Sequence, residues 1–228
     1  GRWVFGTNVS SSLFRNTDSF IISSFLGTPS VALYNVCLRI SNLVDVPSQV
    51  LGDILFPKTA KMMEDGNLAM VKYYYERAVG TILAIAVPAS LAIVLLPKLV
   101  IGIIAGQAYM EAVPILQVTI FYGLFLPFIK QFGTIMDSIG LPKLNFYVIT
   151  VTAICNIFIC MFYTRQMGLM GAAYGTMTSY GICFIITQTI LHRKLKTSLF
   201  NVVKYMLQFY PEALSVVQQR YLLKWKAR

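Results

Sequence analysis

The stretch at residues 33–57, LYNVCLRISNLVDVPSQVLGDILFP, constrains the fold of this chain more than any other. At the helical step of about 100° per residue, its polar residues fall on one narrow face, and leucine, isoleucine and valine cover the rest. A charge held in hydrocarbon is costly unless it finds a partner or water. The pattern therefore predicts a membrane-spanning helix with one face turned to a bundle interior or a water-filled cavity. The residues on that face are Asn35, Arg39, Asn42, Gln49 and Asp53.

Two interpretations of this polar face remain open. In the structural one, Arg39 and its neighbours form hydrogen bonds between helices of a bundle. In the functional one, they line a translocation path. Residues 3–26 repeat the pattern with Asn8, Arg15 and Asp18. Because Arg15 and Asp18 are three residues apart on a helix, we expect them to form an ion pair, either structural or part of gating and ion coupling.

The composition indicates a membrane protein with several spans. Hydrophobic residues make up 57% of the 228 residues and charged residues 12%, whereas soluble domains are about 25% charged. The net charge of +10 comes from basic residues between and beyond the apolar runs. This distribution reports membrane topology and does not predict a nucleic-acid partner. The four cysteines lie in apolar runs without paired spacing, so we expect no disulfide framework, metal site or cofactor.

The apolar runs predict an all-α membrane fold, with a transmembrane lobe of about six helices at residues 1–192. Lysine and arginine concentrate in the connection 58–77, the turn 140–143 and the tail 193–228, which places both ends of the segment in the cytoplasm. The span at 144–163 has few polar residues, so we expect it to face lipid. The tail is predicted to be a basic amphipathic helix on the membrane surface, interrupted at Pro211, that acts as an anchor. The predicted spans are residues 3–26, 33–57, 79–96, 112–135, 144–163 and 169–191.

Several stretches resemble one known family. They are DSFIISSFLGTPSVALYNVCLRI, ILFPKTAKM, GQAYMEAVPILQV, SIGLPK and GLMGAAYGTMTS. In this order they resemble the second half of bacterial polysaccharide exporters. These are the O-antigen-type flippases of lipid-linked oligosaccharides, in the superfamily of the multidrug-and-toxin exporters. The resemblance covers residues 3–191. The chain also begins at Gly1 without Met or a signal peptide, so we expect a preceding lobe to be missing.

The resemblance implies one lobe of a two-lobed exporter that opens alternately to each side of the bacterial inner membrane. Its implied substrate is an undecaprenyl-diphosphate-linked oligosaccharide, its partners are the lipid bilayer and the missing N-terminal lobe, and a proton or sodium gradient drives it. Cationic residues of the family hold the anionic headgroup, and Arg15 and Arg39 occupy the matching helices. The remaining candidates are Asn8, Asn35, Asn42 and Gln49 as cavity-lining residues, and Asp18, Asp45 and Asp53 as ion-pair or coupling residues.

Two other functions compete with the flippase. A multidrug antiporter with the same fold would favour acidic and aromatic residues around a cationic drug, whereas both polar spans here carry an arginine. A membrane enzyme that polymerises or ligates glycans would need catalytic side chains in a large outer region, and the predicted outer turns are short. We therefore expect a transporter.

Overall fold

The computed structural model describes the backbone of residues 2–226 and the side chains of residues 2–215, and these residues form α-helices and one 3-10 helix without any strand. The predicted all-α membrane fold is confirmed. The helices are α1 (Arg2–Leu26), α2 (Thr28–Leu43), α3 (Val46–Glu64), α4 (Leu68–Leu95), α5 (Pro97–Ile104), the 3-10 helix (Gln107–Ala112), α6 (Val113–Tyr122), α7 (Leu126–Ser138), α8 (Pro142–Leu195) and α9 (Leu199–Lys226).

Three helical runs in the described residues are long and apolar enough to cross a membrane. They contain four of the predicted spans, because α8 holds two of them. The predicted span 3–26 corresponds to α1, and the predicted span 33–57 corresponds to α2 followed by α3. The polar residues of these helices make them less apolar than the three runs. The three runs are Leu68–Leu95, Gln107–Ser138 and Pro142–Leu195.

Helix α8 is an antiparallel hairpin. Its 54 residues would extend about 80 Å as one straight helix, more than twice the hydrocarbon thickness of a bilayer. The chain reverses at Gly168, whose φ of 61° is readily adopted only by glycine. Beyond the turn, a Cβ on Gly171 would lie 2.0 Å from the Tyr163 carbonyl oxygen. Small residues therefore let the first arm (142–167) and the second arm (169–195) pack closely.

The predicted span 33–57 is not one helix, and this expectation was wrong. Helix α2 ends at Leu43 and α3 begins at Val46, so Asn35, Arg39 and Asn42 lie on a different helix from Gln49 and Asp53. The predicted span 112–135 is broken in the same way between α6 and α7. Each new helix has a proline at its second position, Pro47 or Pro127. Proline lacks a backbone N–H, and its ring clashes with the carbonyl four residues earlier, so a continuous helix is disfavoured.

The two broken spans run parallel, with their breaks side by side. Cys37 Sγ lies 3.4 Å from the Ala112 carbonyl oxygen, before the breaks. After them, Gln131 Nε2 donates to the Ser48 carbonyl oxygen at 2.8 Å. We refer to residues 44–45 and 123–125 as the paired breaks.

Helix α1 packs along both arms of α8. Ser10 Oγ lies 2.9 Å from Thr150 Oγ1 on the first arm, and the ring of Phe14 lies 4.8 Å from that of Tyr180 on the second. The first arm therefore has a buried side as well as an exposed one that includes Phe158. The expectation that the span 144–163 faces lipid stays a prediction, and it applies only to the exposed side of this arm.

The tail also differs from the prediction. Residues 193–195 continue α8, and α9 passes through Pro211 without a break and packs along α4. Val202 is buried, and Tyr210 Oη donates to the Ala84 carbonyl oxygen at 2.8 Å. The connection 58–77 is also mostly helical, because only residues 65–67 separate α3 from α4. The predicted surface residues Arg220, Lys224, Lys226 and Arg228 lie outside the described side chains.

Candidate functional site

Two adjoining cavities lie along the polar sides of α1 and α2. The first, of about 190 Å³, extends across the paired breaks to α7 and α8. The second, of about 440 Å³, opens between α1 and α2. Arg15, Leu38 and Asn42 border both cavities, so the two adjoin, and we call them together the polar groove. Its remaining lining residues are Asn16, Asp18, Ser19, Asn35, Arg39, Asp45, Gln49, Tyr122, Leu126, Lys130, Thr176 and Tyr180.

The structure brings Arg15 and Arg39 to this groove, one from each of its two first helices. Both side chains are exposed. The ion pairs among the described residues are Lys72–Glu76, Arg77–Glu212 and Lys130–Asp45, so neither groove arginine is neutralised by a carboxylate in that part of the chain. A guanidinium stays protonated and can present paired N–H donors to a phosphate or carboxylate.

The amides of the groove complement the arginines. Ser19 Oγ donates to Asn35 Oδ1 at 3.1 Å, and Tyr122 Oη donates to Asn42 Oδ1 at 3.2 Å. Because each carbonyl oxygen is engaged, each side chain has its NH₂ group left to offer a ligand. Gln49 is exposed and borders the first cavity. The groove therefore presents mainly hydrogen-bond donors and positive charge.

Two predicted site residues lie outside the polar groove. Asn8 is exposed on α1 about two turns before Arg15, and at about 5.4 Å per turn that separation takes it beyond the cavities. Asp53 is exposed on α3, one turn beyond Gln49, and borders neither cavity. Because α3 begins as a new helix after the break at residues 44–45, the single polar face predicted for residues 33–57 does not continue along α3.

Asp18 is buried beside the groove, and the expected pair with Arg15 is not formed within the described residues. Its carboxyl group turns towards α2 and α8 instead. Asp18 Oδ2 accepts from Tyr34 Oη at 3.2 Å and from Thr176 Oγ1 at 2.8 Å, and Oδ1 lies 3.0 Å from Cys160 Sγ. These donors stabilise the buried carboxylate in place of an arginine.

Asp45 forms an ion pair with Lys130 of α7, across the paired breaks. Lys130 was not among the site residues predicted from the sequence. The signal that marks it is its position inside an apolar span, where an ionisable side chain is unusual. Tyr34, Cys160 and Thr176 carry no such signal, because hydroxyl and thiol groups are common in helix packing. Within the described residues, no group of three or more His, Cys, Asp or Glu side chains is arranged to hold a metal ion.

Comparison with known proteins identifies the family. The model of the polysaccharide biosynthesis protein family matches residues 1–114, half of the 228-residue chain. The chain belongs to the polysaccharide biosynthesis protein family. The match covers α1 to α5 and the 3-10 helix, which include both groove arginines.

This family member also resembles two larger proteins. An uncharacterized membrane protein of Methanocaldococcus jannaschii, MJ1068, is 26% identical over 185 residues, which are 81% of this chain and 36% of that protein. The lipid II flippase MurJ, in an inward closed conformation, superposes with a TM-score of 0.73 and 16% identity over 93% of this chain and 46% of the flippase. The second similarity shows the fold alone. The chain thus spans less than half the length of either protein.

Proposed function

We propose that this chain is one lobe of a flippase that moves a lipid-linked saccharide across a membrane. The observation that carries the proposal is the polar groove, in which two arginines border one cavity and have no carboxylate partner among the described residues. The finer form of the proposal is an undecaprenyl-diphosphate-linked oligosaccharide of the O-antigen type, carried across the bacterial inner membrane. Family membership supports the coarser statement, and the motif resemblance supports the finer one.

The chemistry of such a substrate fits the groove. A diphosphate and a hydrophilic glycan cannot enter hydrocarbon without a large loss of hydration. Arg15 and Arg39 would replace part of that hydration with charge-assisted hydrogen bonds to the diphosphate, and the amides of Asn35 and Asn42 would donate to phosphate or sugar oxygens. The apolar lipid chain would stay in the bilayer outside the groove. The lobe would therefore need to lower the free-energy barrier only for moving the headgroup across the membrane.

The groove is also flanked by apolar side chains. Val9, Leu13 and Phe20 of α1 are exposed and border a depression of about 740 Å³ that shares Asn16, Ser19 and Asn35 with the polar groove. A second helical lobe would cover these apolar residues and leave the groove as an aqueous passage between the lobes. In the proposed mechanism the two lobes rock against each other, and the groove opens to each side of the membrane in turn.

Asp18 is the proposed coupling residue. Thr176 Oγ1 lies 2.8 Å from Asp18 Oδ2 and 2.9 Å from the Ala172 carbonyl oxygen, so its single hydrogen can be donated to either. When Asp18 is ionised, Thr176 and Tyr34 both donate to it. When Asp18 carries a proton, Asp18 donates to Thr176, and Thr176 donates to Ala172. The same atoms therefore hold both protonation states, as a proton-coupled carboxyl requires, and a sodium ion is the alternative coupling ion.

Replacement of the groove arginines in the full-length protein tests the proposal. We expect Arg15→Gln or Arg39→Gln to lower export about 10-fold to 100-fold, because each removes charge-assisted hydrogen bonds to the headgroup. The measurement is complementation of a surface-polysaccharide export defect, with lipid-linked intermediates trapped on the cytoplasmic side. Arg193→Gln is the matched control, since Arg193 is exposed outside the groove.

Normal export by both arginine variants at normal expression would contradict the flippase proposal. Drug resistance in place of glycan export would indicate an antiporter of the same fold. Altered glycan chain length without trapped intermediates would indicate a polymerase or ligase.

A further inference from the structure

The Asp45–Lys130 ion pair lies at the wall of the first cavity, which Arg15 also borders. The two members differ in their access to it. The side chain of Asp45 is 4% exposed, whereas that of Lys130 is 32% exposed. A ligand in the cavity would therefore meet the ammonium group of Lys130, and the carboxylate would remain behind it.

The carboxylate of Asp45 is incompletely satisfied. Oδ2 contacts Lys130, but Oδ1 is buried without a hydrogen-bond partner among the described residues. A buried carboxylate ordinarily has several donors around it, as Asp18 does. Asp45 therefore gives Lys130 one negative charge and little geometric restraint. A diphosphate carries more negative charge than a carboxylate and offers more acceptor oxygens, so it can compete for the same ammonium group.

The pair also joins the paired breaks. Asp45 directly precedes α3, and Lys130 lies one turn into α7. Beyond the breaks, α3 and α7 are held by other contacts, including the hydrogen bond from Gln131 to the Ser48 carbonyl oxygen and that between Thr59 Oγ1 and Ser138 Oγ at 2.7 Å. Opening the ion pair would therefore release the contact at the breaks without separating the rest of the two helices.

We propose that Lys130 is a third cation of the headgroup site. Lys130 forms an ion pair with Asp45 while the cavity is empty, and it forms an ion pair with the anionic headgroup when substrate binds. This inference rests on the proposed function. Together with Arg15, Lys130 places a second positive charge on the first cavity. The transfer leaves Asp45 without its cation, and this loosens the paired breaks where the lobe can bend. Headgroup binding and bending of the lobe are thereby linked through one ammonium group.

The test measures binding of inorganic pyrophosphate to the purified full-length protein in lipid nanodiscs. We expect Lys130→Gln to weaken binding about tenfold, because one charge-assisted contact is lost. Asp45→Asn should tighten binding, because the competing carboxylate is removed. The double variant should resemble Lys130→Gln, and Lys130→Arg should bind as the native protein does. Lys98→Gln, at an exposed lysine outside the polar groove, is the control and should leave binding unchanged.

The opposite effects of the two single variants distinguish this mechanism from a structural ion pair. A purely structural pair would give lower thermal stability and weaker binding in both single variants, and that result would overturn the inference. Unchanged binding in the Lys130 and Asp45 variants, with weaker binding in Arg15→Gln and Arg39→Gln, would overturn it and leave the proposed function standing. If the native protein does not bind pyrophosphate, both this inference and the proposed function are overturned.

Discussion

The buried carboxylate of Glu76 is predicted to fasten α9 to the bundle. Glu76 is 1% exposed on α4. Its Oε1 accepts from the Ser198 backbone N–H at 2.7 Å, and its Oε2 accepts from Asn201 Nδ2 at 3.0 Å. It therefore binds the residue that precedes α9 and one in the first turn of that helix, where backbone N–H groups lack helical partners.

The expected cost of Glu76→Gln follows from these two contacts. A hydrogen bond to a charged group contributes about 1.5–3 kcal/mol, and the amide keeps an acceptor for only one of the two donors. Its NH₂ group then faces the other donor. We expect the free energy required to separate α9 from α4 to fall by about 2–3 kcal/mol. At about 1.4 kcal/mol per factor of ten, amide hydrogen exchange in residues 199–215 should accelerate about 30-fold to 150-fold.

Glu212→Gln provides a matched control for the same pair of helices. Glu212 accepts from Arg77 at 2.9 Å, but the two side chains are 56% and 46% exposed. An exposed ion pair contributes about 0–1 kcal/mol after solvent screening, so exchange should accelerate about fivefold at most. Equal acceleration in both variants, or none in Glu76→Gln, would refute the reasoning that burial makes the first carboxylate the stronger attachment.

Two further predictions concern the coupling residue and a close helix contact. Asp18→Asn should fold normally, because an amide can hydrogen-bond to the same hydroxyl groups. Its transport in proteoliposomes should no longer respond to imposed proton and sodium gradients. An unchanged response would show that Asp18 is not the coupling residue. Gly80→Ala should destabilise the α4–α9 contact by about 1–3 kcal/mol in the same exchange measurement, because its Cβ would lie 2.8 Å from Tyr205 Cβ. Gly181→Ala is the control: the Cβ that it adds would have no neighbouring heavy atom within 4 Å, so this variant should not lose stability.

The sequence was sufficient to predict the membrane-helical fold and the family. Spans are encoded locally, since a run of apolar residues of the right length has few alternatives in a bilayer. The polar groove was also partly predictable. Arg15, Asn35, Arg39, Asn42 and Gln49 stand out as polar residues at helical spacing, and the structure places all of them on the groove. Their functional roles stay predictions.

The helix breaks and the partners of Asp18 were not predictable in the same way. Pro47 was visible in the sequence, but proline is tolerated in spans when neighbours satisfy the freed carbonyl, so its presence does not decide between a kink and a break. Tyr34, Cys160 and Thr176 approach Asp18 from 16, 142 and 158 residues away. Periodicity shows which side of a helix is polar, but it does not show which helix lies against that side.

The packing of α9 was missed for a related reason. Its alternating apolar and basic residues fit both a membrane surface and a protein neighbour. Glu76 and Gly80 of α4 determine the outcome, and both lie more than 100 residues earlier in the chain. The pattern on α9 alone could not identify its partner, because the residues that hold α9 in place lie on α4.

The most direct test of the central claim is the accessibility of the polar groove to a charged, water-soluble thiol reagent. In full-length protein with Cys155 replaced by Ser, the remaining cysteines of this segment are buried. Asn16→Cys and Gln49→Cys, on the groove, should then react rapidly with a methanethiosulfonate cation. Val151→Cys and Phe158→Cys, exposed on the outer side of α8, should not react, because lipid covers them. Unreactive thiols in the two groove variants, beside reactive thiols in Val151→Cys and Phe158→Cys, would contradict the claim that the arginines line an aqueous passage.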